Sequence, residues 1–174
     1  VRQFLALACL ILAVAVLPSP TSSKIPNDNL IVPGHRIGRW TLEMTVDQFA
    51  RTTGKPPDER SHHEIDFRSQ LRQYCATEIC AFYRAEETIT FLRVTHITGS
   101  SKTERGVGIG SPLAAIMEAY GRPTAMTRLG DESGGFIRLI FDRIGLSFRV
   151  NLVTETTISI SVFRPGHAAT IWTF

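Results

Sequence analysis

Apolar and polar residues alternate with a period of two in three consecutive stretches towards the C-terminal end. They are Ile137, Leu139 and Phe141, then Leu146, Phe148 and Val150, then Ile158, Ile160 and Val162. Arg138 and Ile140, Ser147 and Arg149, and Thr157, Ser159 and Ser161 fall between them. Successive side chains of a strand point to opposite faces, so the pattern predicts three strands with one face buried. Arg138 and Arg149 then lie on the polar faces of neighbouring strands.

Helical punctuation appears twice. Thr45 opens Val46-Asp47-Gln48-Phe49-Ala50-Arg51, which stops at Gly54-Lys55-Pro56, and Ser111-Pro112 opens Leu113 to Tyr120, which stops at Gly121-Arg122-Pro123. A hydroxyl residue can cap the first free amides, proline suits the first helical position, and glycine followed by proline ends a helix. The two openings are 66 residues apart. Carried back by the same offset, the three alternating stretches fall on Leu71, Gln73 and Cys75, on Cys80, Phe82 and Arg84, and on Leu92, Val94 and His96. The chain is therefore read as one unit written twice, approximately 34–102 and 103–166, with 167–174 as a C-terminal tail. Gln73, Arg84 and His96 break the apolar face of the first copy, so either its register slips or its sheet is less completely covered. The fold class expected is α+β: two tandem helix-plus-antiparallel-sheet units forming one domain, with Gly99-Ser100-Ser101-Lys102 as a short connection.

The N-terminus carries a different signal. Arg2 precedes fourteen uncharged, mostly aliphatic residues, Phe4 to Leu17, and then the small, polar stretch Pro18 to Lys24. This order reads as a secretory signal peptide over residues 1–23, with Thr21 and Ser23 suited to the peptidase. The apolar run is shorter than the roughly 18 residues needed to cross a bilayer, which disfavours a retained anchor. Cys9 lies inside the run rather than at its end, which disfavours lipidation. Two cysteines then remain, Cys75 and Cys80. They fit a disulfide in an oxidising compartment better than a metal site, because no second ligand pair has the usual spacing. Their aligned positions, Phe141 and Leu146, flank the four-residue hairpin loop Asp142 to Gly145, and residues directly opposite there have a separation that a disulfide can span.

The motifs also carry a resemblance. Gly38-Arg39-Trp40-Thr41-Leu42-Glu43-Met44-Thr45 leads into a short helix and Gly54-Lys55-Pro56. Gly106-Val107-Gly108-Ile109-Gly110-Ser111 leads into Gly121-Arg122-Pro123 and then Phe141 to Phe148. Over residues 36–164 this resembles the repeat of the β-lactamase-inhibitor-protein-like group, whose helix-then-strands unit is shared by the small outer-membrane-assembly lipoproteins of the SmpA/OmlA type. The resemblance implies tandem α/β units whose antiparallel sheets present a surface to another protein. The chain departs from the lipoproteins in having two units and no lipid-anchor cysteine.

Composition narrows the function. Of 174 residues 43% are hydrophobic and 20% charged, an ordinary globular balance. After signal removal about 150 residues remain, enough to bury roughly 68–70% of the unfolded surface. The net charge of +3 becomes +2 without Arg2, which gives no case for nucleic acid. His62-His63-Glu64, with His96 later, is the cluster closest to metal or acid–base chemistry, but adjacent ligands on a strand point to opposite sides. Gly106, Gly108 and Gly110 lack the strand, crossover and acidic residue of a dinucleotide site, and Ser111 lacks the order of a nucleophile elbow. Arginine is abundant, sixteen against three lysines, and the guanidiniums of Arg138 and Arg149 suit the carboxylates of a partner. Trp40 is a further candidate anchor or a core plug. The expected function is an exported, non-catalytic binding or envelope-assembly module that presents a sheet surface to a protein of the envelope or outside the cell. No cofactor, catalytic residue, nucleic acid or stable transmembrane segment is expected after signal removal. The alternative is a small periplasmic metal-dependent or hydrolytic enzyme using His62, His63 or His96.

Overall fold

The structure, a computed structural model, describes residues 28–54, 63–66, 71–76, 79–84, 89–94, 100–131 and 134–172. An eight-stranded antiparallel sheet dominates it. Its strands are β4 (His63–Asp66), β5 (Leu71–Ala76), β6 (Ile79–Tyr83), β7 (Ile89–Val94), β9 (Ala125–Asp131), β10 (Gly134–Phe141), β11 (Leu146–Asn151) and β12 (Thr157–Phe163), in the order β4-β5-β6-β7-β12-β11-β10-β9. Two four-strand meanders thus meet at β7 and β12. A smaller sheet, in the order β3-β2-β1-β8, joins β1 (Leu30–Val32), β2 (Arg36–Ile37), β3 (Trp40–Thr41) and β8 (Lys102–Thr103). With helices α1 (Val46–Thr53), α2 (Leu113–Tyr120) and α3 (Ala168–Ile171), the architecture is mixed α+β and mostly β. No helix among the described residues is long and apolar enough to cross a membrane.

The main core lies between α1, α2 and one face of the large sheet. Leu139, Phe141, Leu146, Phe148, Val150, Ile160 and Val162 supply it from β10 to β12, as the alternation predicts, whereas Ile158 is exposed. Phe49 of α1 is fully buried and meets the Tyr74 ring edge-on, with centroids 5.7 Å apart. The start of α1 is a capping box: Thr45 accepts from the Gln48 amide and Gln48 accepts from the Thr45 amide, which satisfies donors the helix leaves free. The start of α2 departs from expectation. Pro112 occupies the cap and Leu113 is the first helical residue, while Ser111 Oγ accepts from the Gly108 amide instead of capping the helix.

One alternative left open by the sequence is resolved and three further expectations are corrected. The first copy does slip in register: Tyr74 and Ala76, not Gln73 and Cys75, face the main core. The residue pair nearest the β5–β6 turn is Ala76 with Ile79, so Cys75 opposite Cys80 lies one pair further in and on the other face. The stretch Gly99 to Lys102, read as a connection, ends in the first residue of β8, which pairs parallel with β1. Residues 168–172, read as tail, form α3 and its following Trp172, and both pack on the second face of the large sheet.

Gly145 ties the two sheets together. At φ 67° its amide donates to Asp142 O, while its carbonyl accepts from the amides of Gly34 and Phe163. A Cβ there would stand 2.0 Å from Phe163 O and 2.8 Å from Gly34 Cα, so only glycine fits.

Candidate functional site

In an antiparallel ladder, directly opposed residues share a face. Away from α1 and α2, one row on the large sheet runs Thr127, Arg138, Arg149, Ser159, and the next runs Ile140, Ser147, Ser161, Arg93, Cys80, Cys75. Arg93, Arg138 and Arg149 therefore occupy one face, among three serines. The face is not a solvated exterior, which corrects the sequence-based placement of Arg138 and Arg149. Arg138 is only 8% exposed, Arg93 and Arg149 are half-buried, and Ser147, Ser159 and Ser161 are buried.

The reason is the returning C-terminal segment. Asp142 Oδ1 accepts from the Ala168 amide at 3.0 Å, and Arg84 donates to Thr170 O at 2.7 Å, which holds α3 on the sheet. Trp172 then packs on Phe163 and Phe91, and its ring lies 5.0 Å from the Arg138 guanidinium. Aromatic rings also support the other two arginines. Arg149 is 4.5 Å above Phe136, and Arg93 is 4.5 Å above Phe82 and 5.2 Å from Phe91, a stacked pair. A ring face attracts a cation and fixes where it sits.

The electrostatics are one-signed. Burial pushes the Arg138 guanidinium down to about 10, and the neighbouring Arg149 charge adds to the effect. Arg93 is pushed well below the ordinary arginine range by burial first, then by Arg149 and Arg138. Burial also lowers Arg149. Among the described residues the ion pairs are Arg36 with Asp28 at 2.7 Å and His35 with Glu43 at 3.6 Å, and neither involves these three. Arg93 Nε donates to Ser161 Oγ at 3.2 Å. Arg149 Nε and Ser159 Oγ, from residues opposed in register, are buried without a hydrogen-bond partner. Orphaned polar groups of this kind are uncommon in folded proteins.

The remaining candidates lie elsewhere. Trp40 is half-buried against the main core; its indole donates to Thr52 Oγ1 at 2.9 Å and its ring meets Phe49 at 6.1 Å, the geometry of a plug between β3 and α1. A depression of about 460 Å³ lined by Thr41, Glu43, Met44, Gln48, Arg51 and Thr52 lies beside α1, not beside the arginines. Cys75 and Cys80 have Sγ atoms 2.07 Å apart, within bonding distance, with Gln73 Nε2 donating to Cys75 Sγ at 2.5 Å. His63 is in β4 opposite Gln73, while His62 and His96 lie outside the described residues. Among the described residues no group of three or more His, Cys, Asp or Glu is placed to hold a metal. Sequence reasoning missed Arg93, though its position between Leu92 and Val94, both on the core face of the alignment, was the available signal.

No protein-family model matches the chain, and no curated protein matches it. Among solved structures it is similar to a DUF4309 family protein, YjgB, from Bacillus subtilis, with 12% identity over 69% of this chain and 78% of that one and a TM-score of 0.42.

Proposed function

We propose that the protein is an exported, non-catalytic binding module built from two tandem units, which presents the arginine-bearing face of its large sheet to a protein partner. The observation that carries this reading is the set of three aromatic-supported guanidiniums with no carboxylate beside them among the described residues. Burying like charges together costs stability, and a partner that supplies the opposite charge recovers it. Further support for two units comes from α1 and α2, which are equal in length and start 67 residues apart, and from the two meanders in mirrored strand order.

A photo-crosslinking amino acid at Thr127, in the same row as Arg138, tests the reading in the native envelope fraction. A discrete protein adduct is expected, reduced by Arg149→Gln, with no such adduct from a crosslinker at Val153, which is 73% exposed in the β11–β12 loop beyond the end of the sheet. No protein adduct at Thr127, or equal adducts from both positions, overturns it.

A further inference from the structure

We infer that the Arg93, Arg138 and Arg149 face is a receptor for an acidic peptide segment and engages at least two of its carboxylates at once. This rests on the binding-module reading and names the chemistry of the partner.

The first observation is the orphaned pair. Arg149 Nε and Ser159 Oγ are buried, opposed in register and without partners. Both atoms are closed to solvent, so they mark an Arg149 edge that finds no acceptor within the fold, and a ligand's ionised carboxylate would instead reach the outer part of this half-buried side chain, where its two oxygens can accept. Neutral amides or hydroxyls would satisfy the hydrogen bonds but leave the charge of Arg138, the Arg149 neighbour opposite it in β10, uncompensated.

The second observation is the spread of charge. Arg138 and Arg149 are cross-strand neighbours, with Cα atoms about 4.5–5.5 Å apart in such a ladder. Arg93 is in β7, beyond β12, which puts it two strand spacings from Arg149, or about 9.5 Å across the sheet. One small oxyanion at the Arg138–Arg149 pair leaves Arg93 unserved. An extended peptide places alternate side chains on one side about 7 Å apart, so acidic residues at every second position can serve the pair and Arg93 together. The rings of Phe82, Phe91, Phe136 and Trp172 hold the three guanidiniums in place before the ligand arrives, which lowers the ordering cost of binding.

The test uses the oxidised mature chain and three probes: a labelled decapeptide of alternating Glu and Ser, its twin with Gln for Glu, and inorganic phosphate as competitor, read by fluorescence anisotropy. The Glu peptide should bind, with the Gln twin, Arg149→Gln and Arg93→Gln each weaker by about tenfold or more, and with affinity falling as salt rises. Equal binding of the Gln twin overturns the inference on the wild-type protein alone, so it does not depend on whether a variant folds. Complete displacement by millimolar phosphate, or indifference to Arg93→Gln, also overturns it and assigns a small-oxyanion site instead. If the Glu peptide fails to bind while the crosslink from Thr127 to a protein persists, this inference falls and the binding-module reading stands.

Discussion

Replacing Arg138 with methionine should make the protein more stable. The guanidinium is 8% exposed and pushed down to about 10, chiefly by burial and secondarily by Arg149. That is about two and a half pH units below the ordinary arginine value, and at roughly 1.36 kcal/mol per unit it corresponds to about 3 kcal/mol of cost at neutral pH. The contact with the Trp172 ring at 5.0 Å offsets about 0.5–2 kcal/mol of this. Methionine keeps an unbranched stem of similar reach, so a net gain of about 1–2 kcal/mol is expected, seen as a higher urea midpoint at pH 7 with an unchanged slope. The sign with pH follows from the depressed value. Below about 10 both folded and unfolded states carry the proton and the penalty is complete. As pH rises from about 10 towards the ordinary arginine range, the folded protein loses its proton first, so the penalty fades and the advantage of the variant shrinks. A midpoint lowered by the equivalent of about 1 kcal/mol or more would refute the reasoning and make Arg138 a structural cation held by its rings.

Several other perturbations read separate parts of the fold. Cys75→Ser should lower stability by about 2 kcal/mol, since the bond closes a short loop, and non-reducing peptide mapping should recover Cys75 and Cys80 in one linked fragment. Gly145→Ala should cost about 2 kcal/mol or more, because its Cβ would meet Phe163 O; a change within about 0.5 kcal/mol would show that the β11–β12 end can relax. Phe49→Ala empties a fully buried site and should cost about 3–5 kcal/mol in a denaturant melt. N-terminal mass spectrometry of the exported fraction should find a first residue between Pro18 and Ile25, and an intact chain in the membrane would favour an anchor.

Strong periodicity made β10, β11 and most of β12 legible before any coordinates, because a sheet with helices on one side imposes period two on that side. The capping box at Thr45 and the glycine stops were equally legible, since they are local chemistry. Two things were hidden. The slip in the first copy lies on both sides of the β5–β6 turn: the Ala76–Ile79 pair encloses two residues where the Phe141–Leu146 pair encloses four, so each strand stands one residue away from the fixed offset, and a one-residue displacement reverses the faces that the offset predicts. The burial of Arg138 was hidden because it depends on Trp172 returning from the C-terminus, a long-range contact that leaves no period. Ile140 and Phe163, apolar on the supposedly wet face, were the residues that foreshadowed it.

The junction of β7 with β12 consists of four residue pairs, Phe91–Phe163 to Val94–Ile160, between strands that each close a meander. Strands related in this way are exchanged by a dyad normal to the sheet. Either meander alone would therefore offer a second copy of itself the same ladder, an isologous contact. Joining the two in one chain fixes the stoichiometry and frees the halves to differ. Arg93 comes from one half, and Arg138 and Arg149 come from the other. A symmetric pair would have to duplicate its charges on both sides of the dyad, whereas the single chain sets one arginine against two and gives the composite face a direction.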